Sequence, residues 1–175
     1  MRTSMYLFAA SAALLLMSSA CKSARSGTQA SQPESAALLP GGTRLAFREL
    51  ASGASCGIDS PSVQVFSQQG DFQRFWLLLH AGREPMPPLP EVDFSRQLVV
   101  GYFAGIKPSG GYSVRISRIE AEEGVFAAYV DLAEPGANCF VTEALTQPYQ
   151  LVLVEWNGGA PAQMLHAVRR VTSDC

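Results

Sequence analysis

Histidine is scarce: only His80 and His166 stand among the 175 residues. A nucleophile-and-base pair or a metal site therefore has little to build from, and no cluster at metal-ligand spacing is visible. His80 falls near the end of a helical pattern, where a cation suits the helix dipole. His166 falls in a strand pattern, expected on its solvent face. Charge is scarce as well, at 16% of residues against about 25% in typical globular chains, which argues against a chain held open by self-repulsion. The formal net charge of −2 and sequence pI near 5.7 lack the basic excess of a nucleic-acid binder. Long apolar runs are missing after residue 20, and the run before it, Met5 to Ala20, is shorter than the ~18 residues that cross a bilayer. The Gly105–Gly111 segment has glycines, Lys107 and Ser109, but it lacks the Gly-Lys-Ser/Thr ending of a phosphate loop, and a strand follows where a helix should.

The apolar stretch that is present begins the chain. Arg2 is the only charge before Lys22, and Tyr6–Met17 is almost wholly apolar. A positive start, an apolar core of about a dozen residues and then small residues form a secretory signal peptide over 1–20. Ser18-Ser19-Ala20-Cys21 looks like a bacterial lipobox, with Ser18 where leucine is usual. On that reading Cys21 is lipidated and begins the mature chain; the alternative is ordinary cleavage nearby that leaves Cys21 unmodified. More than one acyl chain at Cys21 suffices for stable membrane anchoring, and Lys22 in place of Asp implies sorting to the outer membrane, facing the periplasm. Loss of Arg2 leaves 12 of the 13 Lys and Arg against 15 Asp and Glu, a mature net charge of −3. Residues 21–42, rich in Ser, Ala, Gln, Gly and Pro, predict a flexible tether spanning roughly 25 Å.

Residues 43–175 form the single expected globular domain. Phe72, Phe75, Trp76 and Leu79 recur at the helical period, with Ser67 or Asp71 to cap the start and Gly82 to stop the end. Strand patterns cover Arg44–Leu50, Val63–Phe66, Leu98–Ile106, Tyr112–Ser117, Val125–Leu132, Tyr149–Trp156 and Met164–Val171. The Leu98–Ile106 run, apolar throughout, suits a central strand covered on both faces. The fold class expected is α+β: a largely antiparallel β-sheet of six or seven strands packed by one amphipathic helix. Glu120, Glu122 and Glu123 read as a solvated hairpin tip. Arg115, Arg118, Arg169 and Arg170 would form a basic patch if the last strand lies near that hairpin.

Export places Cys56, Cys139 and Cys175 in an oxidising compartment where pairing is expected. Cys56 and Cys139 both lie in turn-rich segments, so a Cys56–Cys139 disulfide is favoured, with Cys175 as the alternative partner. A loop of that length stabilises by about 4 kcal/mol in the chain-entropy model. No His is near either cysteine in sequence to activate a catalytic thiol.

Gly105-Ile106-Lys107-Pro108-Ser109-Gly110-Gly111-Tyr112-Ser113-Val114-Arg115-Ile116, then Pro135-Gly136, Val141 and Pro148-Tyr149 leading into Leu151–Val154, resemble the C-terminal domain of the protease complex subunit PrcB family. The resemblance covers residues 98–155, with Val92-Asp93-Phe94 fitting just upstream. It implies an exported, often lipidated chain that serves as a non-catalytic accessory module, assembling or stabilising a secreted protease complex. It carries over no catalytic residue and implies a protein partner in the envelope, a protease in the specific version; no cofactor is expected. Paired glycines with Pro108 read as a fold-defining bend, and Lys107, Ser109, Gly110, Gly111 and Tyr112 form the candidate binding loop. Two other readings stay open. One is an envelope enzyme whose site assembles from scattered residues such as Ser109, His166 and Asp131. The other is a small-ligand lipoprotein with a pocket beneath Phe75 and Trp76.

Overall fold

The computed structural model describes residues 37–174, all within one compact unit. The signal peptide, Cys21, most of the tether and Cys175 lie outside the described residues. The elements in order are β1 (Thr43–Arg44), β2 (Phe47–Gly53), β3 (Ser62–Phe66), α1 (Gln69–Leu79), β4 (Gln97–Phe103), β5 (Ser113–Glu122), β6 (Val125–Pro135), β7 (Tyr149–Glu155) and β8 (Gln163–Ser173).

Eight strands form two four-stranded sheets, ordered β1-β5-β6-β8 and β2-β7-β4-β3, where the sequence predicts one sheet of six or seven. The expected antiparallel pairing holds except between β6 and β8, which run parallel. The first strand pattern divides. Thr43 and Arg44 pair with β5 in one sheet, and Phe47 onward pairs with β7 in the other. Leu45 and Phe47 both pack into the core between the sheets, so the chain changes sheet without interrupting the apolar pattern.

Three layers result: helix, sheet, sheet. Leu98, Val100 and Tyr102 of β4 and Val152 and Val154 of β7 meet Ile116, Ile119, Phe126, Ala128 and Val130 from the facing sheet. The alternate residues Val99, Phe103, Leu151 and Leu153 meet Phe72, Trp76 and Leu79 of the helix. Both faces of β4 and β7 are thus covered, which accounts for their near-continuous apolar sequence. Gly101 leaves room on the helix side, since a Cβ there would stand 2.6 Å from Leu151 Cδ2.

The helix presents the expected apolar face, although its N-terminus differs. Gln68 occupies the N-cap position with no side-chain bond, and Asp71 lies in the first turn, ion-paired with Arg74. Gly82 has φ +78°, the left-handed geometry expected just past the end. Trp76 Nε1 donates to the Pro87 carbonyl at 3.1 Å, which ties the proline-rich connector to the helix. The space beneath Phe75 and Trp76 is occupied by aromatic rings: Phe75 lies 5.4 Å from Phe103, and Phe72 lies 5.8 Å from both Phe66 and Trp76. Among the described residues no helix is long and apolar enough to cross a membrane.

Candidate functional site

The glycine-rich segment before β5 is built into one end of the sandwich. Ile106 N–H donates to the Asp59 carbonyl at 3.0 Å, Lys107 and Thr146 exchange two backbone bonds, and Gly110 N–H donates to the Thr142 carbonyl. Thr146 Oγ1 donates to the Ser109 carbonyl, and the Ser109 hydroxyl donates to the Gly110 carbonyl. Gln147 joins a third loop: its backbone N–H donates to Ala54, its side chain accepts from Gly57 N–H, and its Nε2 donates to Asp59. Loops 54–61, 104–112 and 136–148 therefore form one hydrogen-bonded pole.

Within that pole the glycines have steric reasons. Gly111 has φ +81°, and a Cβ on it would come 2.8 Å from Val141 Cγ1 and 3.0 Å from Pro135 Cβ. Gly105 has φ +69° and lies equally close to Asp59 and Pro61. Pro148 accepts from Ala104 N–H, and Tyr149 stacks near Phe103 at 6.3 Å. These residues, scattered in sequence, are one contact set.

The pole offers large apolar side chains outward among exposed polar ones such as Asp59, Asn138 and Glu143. Lys107, Ser109, Gly110 and Tyr112 are half-buried, and the backbone and hydroxyl bonding of the loop is spent internally. Ile106 is 46% exposed, Leu145 72%, and Phe140 fully exposed. Phe140 and Leu145 are missed by sequence reasoning because they follow no period; the available signal was two large apolar residues inside a segment otherwise made of turn formers. Tyr112 lines a separate cleft of about 220 Å³ between β2 and β5, with Glu49, Ser52, Tyr149 and Gln150.

Ser109, His166 and Asp131 do not converge. Ser109 belongs to the pole. Asp131 lies on the outer face of its sheet, gripping Arg169 at 2.8 and 3.0 Å. His166 pairs with Ala128, a core residue, so it faces the other way. Its ring is exposed, as expected, but lies 5.6 Å from Tyr102 at the open side of the sandwich rather than on the solvent face of the sheet. His80 also departs from the expected cationic cap. It is buried against Trp76 with ring centroids 4.3 Å apart, and neither ring nitrogen has a hydrogen-bond partner. Burial, aided by the Arg83 charge, holds its pKa below the ordinary 6.5.

The expected Cys56–Cys139 bridge does not form. Cys56 is an unpaired thiol buried in the core beneath the helix, and burial pushes its pKa up, so it stays protonated and weakly nucleophilic at neutral pH. Cys139 is disulfide-bonded, with its partner outside the described residues.

The arginines divide between faces. Arg118 and Arg169 line an outer cleft of about 230 Å³ with Arg44, Tyr129 and Asp131. Arg118 stacks 3.7 Å over the Tyr129 ring. Arg170 lies on the opposite face, paired with Glu134 at 2.8 Å. Glu120 is not a solvated tip: it is buried, accepts the Tyr129 hydroxyl at 2.8 Å and pairs with Arg118 at 3.4 Å.

Residues 98–155 match the family model described as PrcB C-terminal. The match spans β4 through β7, the central pair of strands in each sheet. No curated protein and no solved structure matches the chain.

Proposed function

With a PrcB C-terminal segment as its inner strands, we propose that the chain is a non-catalytic, lipid-anchored accessory module of the cell envelope that binds a protein partner, a secreted protease in the specific version. The observation that carries this reading is the pole itself. Its loops are locked to one another by backbone bonds, yet Phe140, Leu145 and Ile106 project from them into solvent. Rigidly framed, exposed aromatic and aliphatic side chains are the usual anchors of protein interfaces. The chain enters the fold at the other end: Thr43 pairs with Ala121 next to the Glu123-Gly124 hairpin, about 25 Å along β5 from Ser113.

The test is capture from gently solubilised envelope with the tagged lipoprotein, its Cys21→Ser variant and a Phe140→Asp/Leu145→Asp variant. The reading expects one stoichiometric partner, retained by Cys21→Ser when that variant is supplied directly to solubilised envelope, and lost from the pole variant. Hydrolytic or redox turnover by the purified chain, or a partner that survives the pole substitutions, would overturn it.

A further inference from the structure

The turn that carries Phe140 has few ties to the rest of the pole. Cys139 N–H donates to the Gly136 carbonyl at 3.0 Å, which closes the turn on itself. Gly136 N–H donates to the Ser173 carbonyl at 3.1 Å, and among the described residues the next backbone bond to another segment comes only at the Thr142 carbonyl, which accepts from Gly110. Ala137, Asn138 and Phe140 are exposed, and Cys139 is half-buried among them. One tie is covalent, because Cys139 is disulfide-bonded. Two observations bear on its partner. The sequence has four cysteines, and Cys56 is an unpaired thiol beneath the helix, which leaves Cys21 and Cys175. Cys139 Sγ lies 3.6 Å from the Ser173 carbonyl oxygen, and the turn shares one recess with residues 172–174. Cys175 stands two residues past Ser173, so their Cα atoms are at most about 7 Å apart. A bridge needs Cα atoms about 4.4–6.8 Å apart, which Cys175 can reach without displacing the turn. Cys21 on the lipoprotein reading is a thioether, and its sulfur forms no bridge.

We propose that a Cys139–Cys175 disulfide clamps the Phe140 turn to the end of β8 and makes partner binding at the pole sensitive to reduction. The proposal rests on the partner-binding reading above and names the regulation of that same surface. With the bridge closed, Phe140 stands one residue from a covalent anchor and is presented already ordered, which favours binding. A dithiol reductant opens it. One thiolate of the reductant attacks a bridge sulfur, the S–S bond breaks, and the second thiol closes the reductant's own disulfide. Two electrons and two protons pass to the chain, leaving Cys139 and Cys175 as thiols. Cys139 is half-buried at the surface, where a bridge is within reach of such a reductant. Residues 137–140 are then held only from their ends, by Gly136 on Ser173 and by Val141 against Gly111. A partner must fix that backbone again, and the lost conformational entropy weakens its binding.

The test compares the full chain oxidised, reduced with dithiothreitol, and as Cys139→Ser/Cys175→Ser. Peptide mapping of the oxidised chain without reductant should join the Cys139 peptide to the Cys175 peptide. The amides of Gly136 and Cys139, the hydrogen-bonded ones of the turn, should exchange faster by about tenfold or more in the reduced chain and in the double variant. Amides of β4 should keep their rates, which separates release of the turn from unfolding. Capture of the envelope partner should weaken by about tenfold or more in the same two states, and reoxidation should restore it to the natural chain but not to the variant. Four results would overturn the proposal: Cys139 joined to Cys21 or left as a thiol in the oxidised chain, exchange at Gly136 and Cys139 unchanged by reduction, faster exchange shared equally by β4, or a partner held equally tightly in all three states. Capture of no partner even by the oxidised chain overturns the partner reading instead, and mapping and exchange then decide the clamp.

Discussion

Gly111 and Gly57 both have left-handed backbones, at φ +81° and +71°, but their surroundings differ. A methyl group at Gly57 meets nothing within 4 Å, whereas at Gly111 it meets Val141 and Pro135. Gly57→Ala should therefore cost only the conformational penalty, about 1 kcal/mol. Gly111→Ala adds steric displacement within the pole and should cost about 2–3 kcal/mol. Urea unfolding of the two variants measures the gap, and equal losses would mean that the pole contact is soft. His80 makes a prediction of opposite chemistry. Its folded pKa lies below 6.5, so as pH falls through 6.5 the unfolded chain takes up a proton that the folded chain refuses. Stability contributed by the neutral ring is complete above that value and declines as pH drops toward the lower folded pKa. The urea midpoint of the natural chain should fall between pH 7.5 and 5.5 more steeply than that of His80→Phe; parallel curves would exclude His80 as the cause.

The β5–β6 hairpin turns on Glu123 and Gly124, with φ of 49° and 81°. Two successive positive φ values make the tight two-residue turn that favours Asn-Gly. Glu123→Asn should raise stability by about 0.5 kcal/mol without altering the sheet, read from the midpoint of denaturant unfolding. The same hairpin was plain in the sequence, as were the helix and most strands, because alternation and the 3.6 period record which face is buried. They do not record what buries it. The continuous apolar run of Leu98–Ile106 shows cover on both sides of a strand, but a helix and a second sheet leave the same mark, so the two-sheet arrangement was not legible. The division of Arg44–Leu50 escaped for a similar reason, since Leu45 and Phe47 enter one core on either side of the crossing. The parallel pairing of β8 leaves no local signal, because pairing direction follows from the route of residues 156–162 across the sandwich.

Across the described residues, the segment that matches the PrcB C-terminal model supplies the inner strands of both sheets, and the flanking sequence supplies the edge strands and the helix. The paired glycines were legible as a bend, and Gly110 and Gly111 prove to be where loops 104–112 and 136–148 touch. Phe140 and Leu145 were not legible, because exposure in a loop is set by neighbours distant in sequence. His166 and Asp131 were candidates for one site because strand positions alone do not show which way each faces, and the register puts them on opposite sides of one sheet. The central claim is that the pole meets a partner protein. A photo-crosslinking side chain at position 140, with position 115 on the sheet face as control, tests it in the intact envelope. The account predicts one dominant adduct from position 140, identifiable by mass, and none of that species from position 115. Equal labelling from both positions, or no adduct from 140 alongside a specific one from 115, would contradict it.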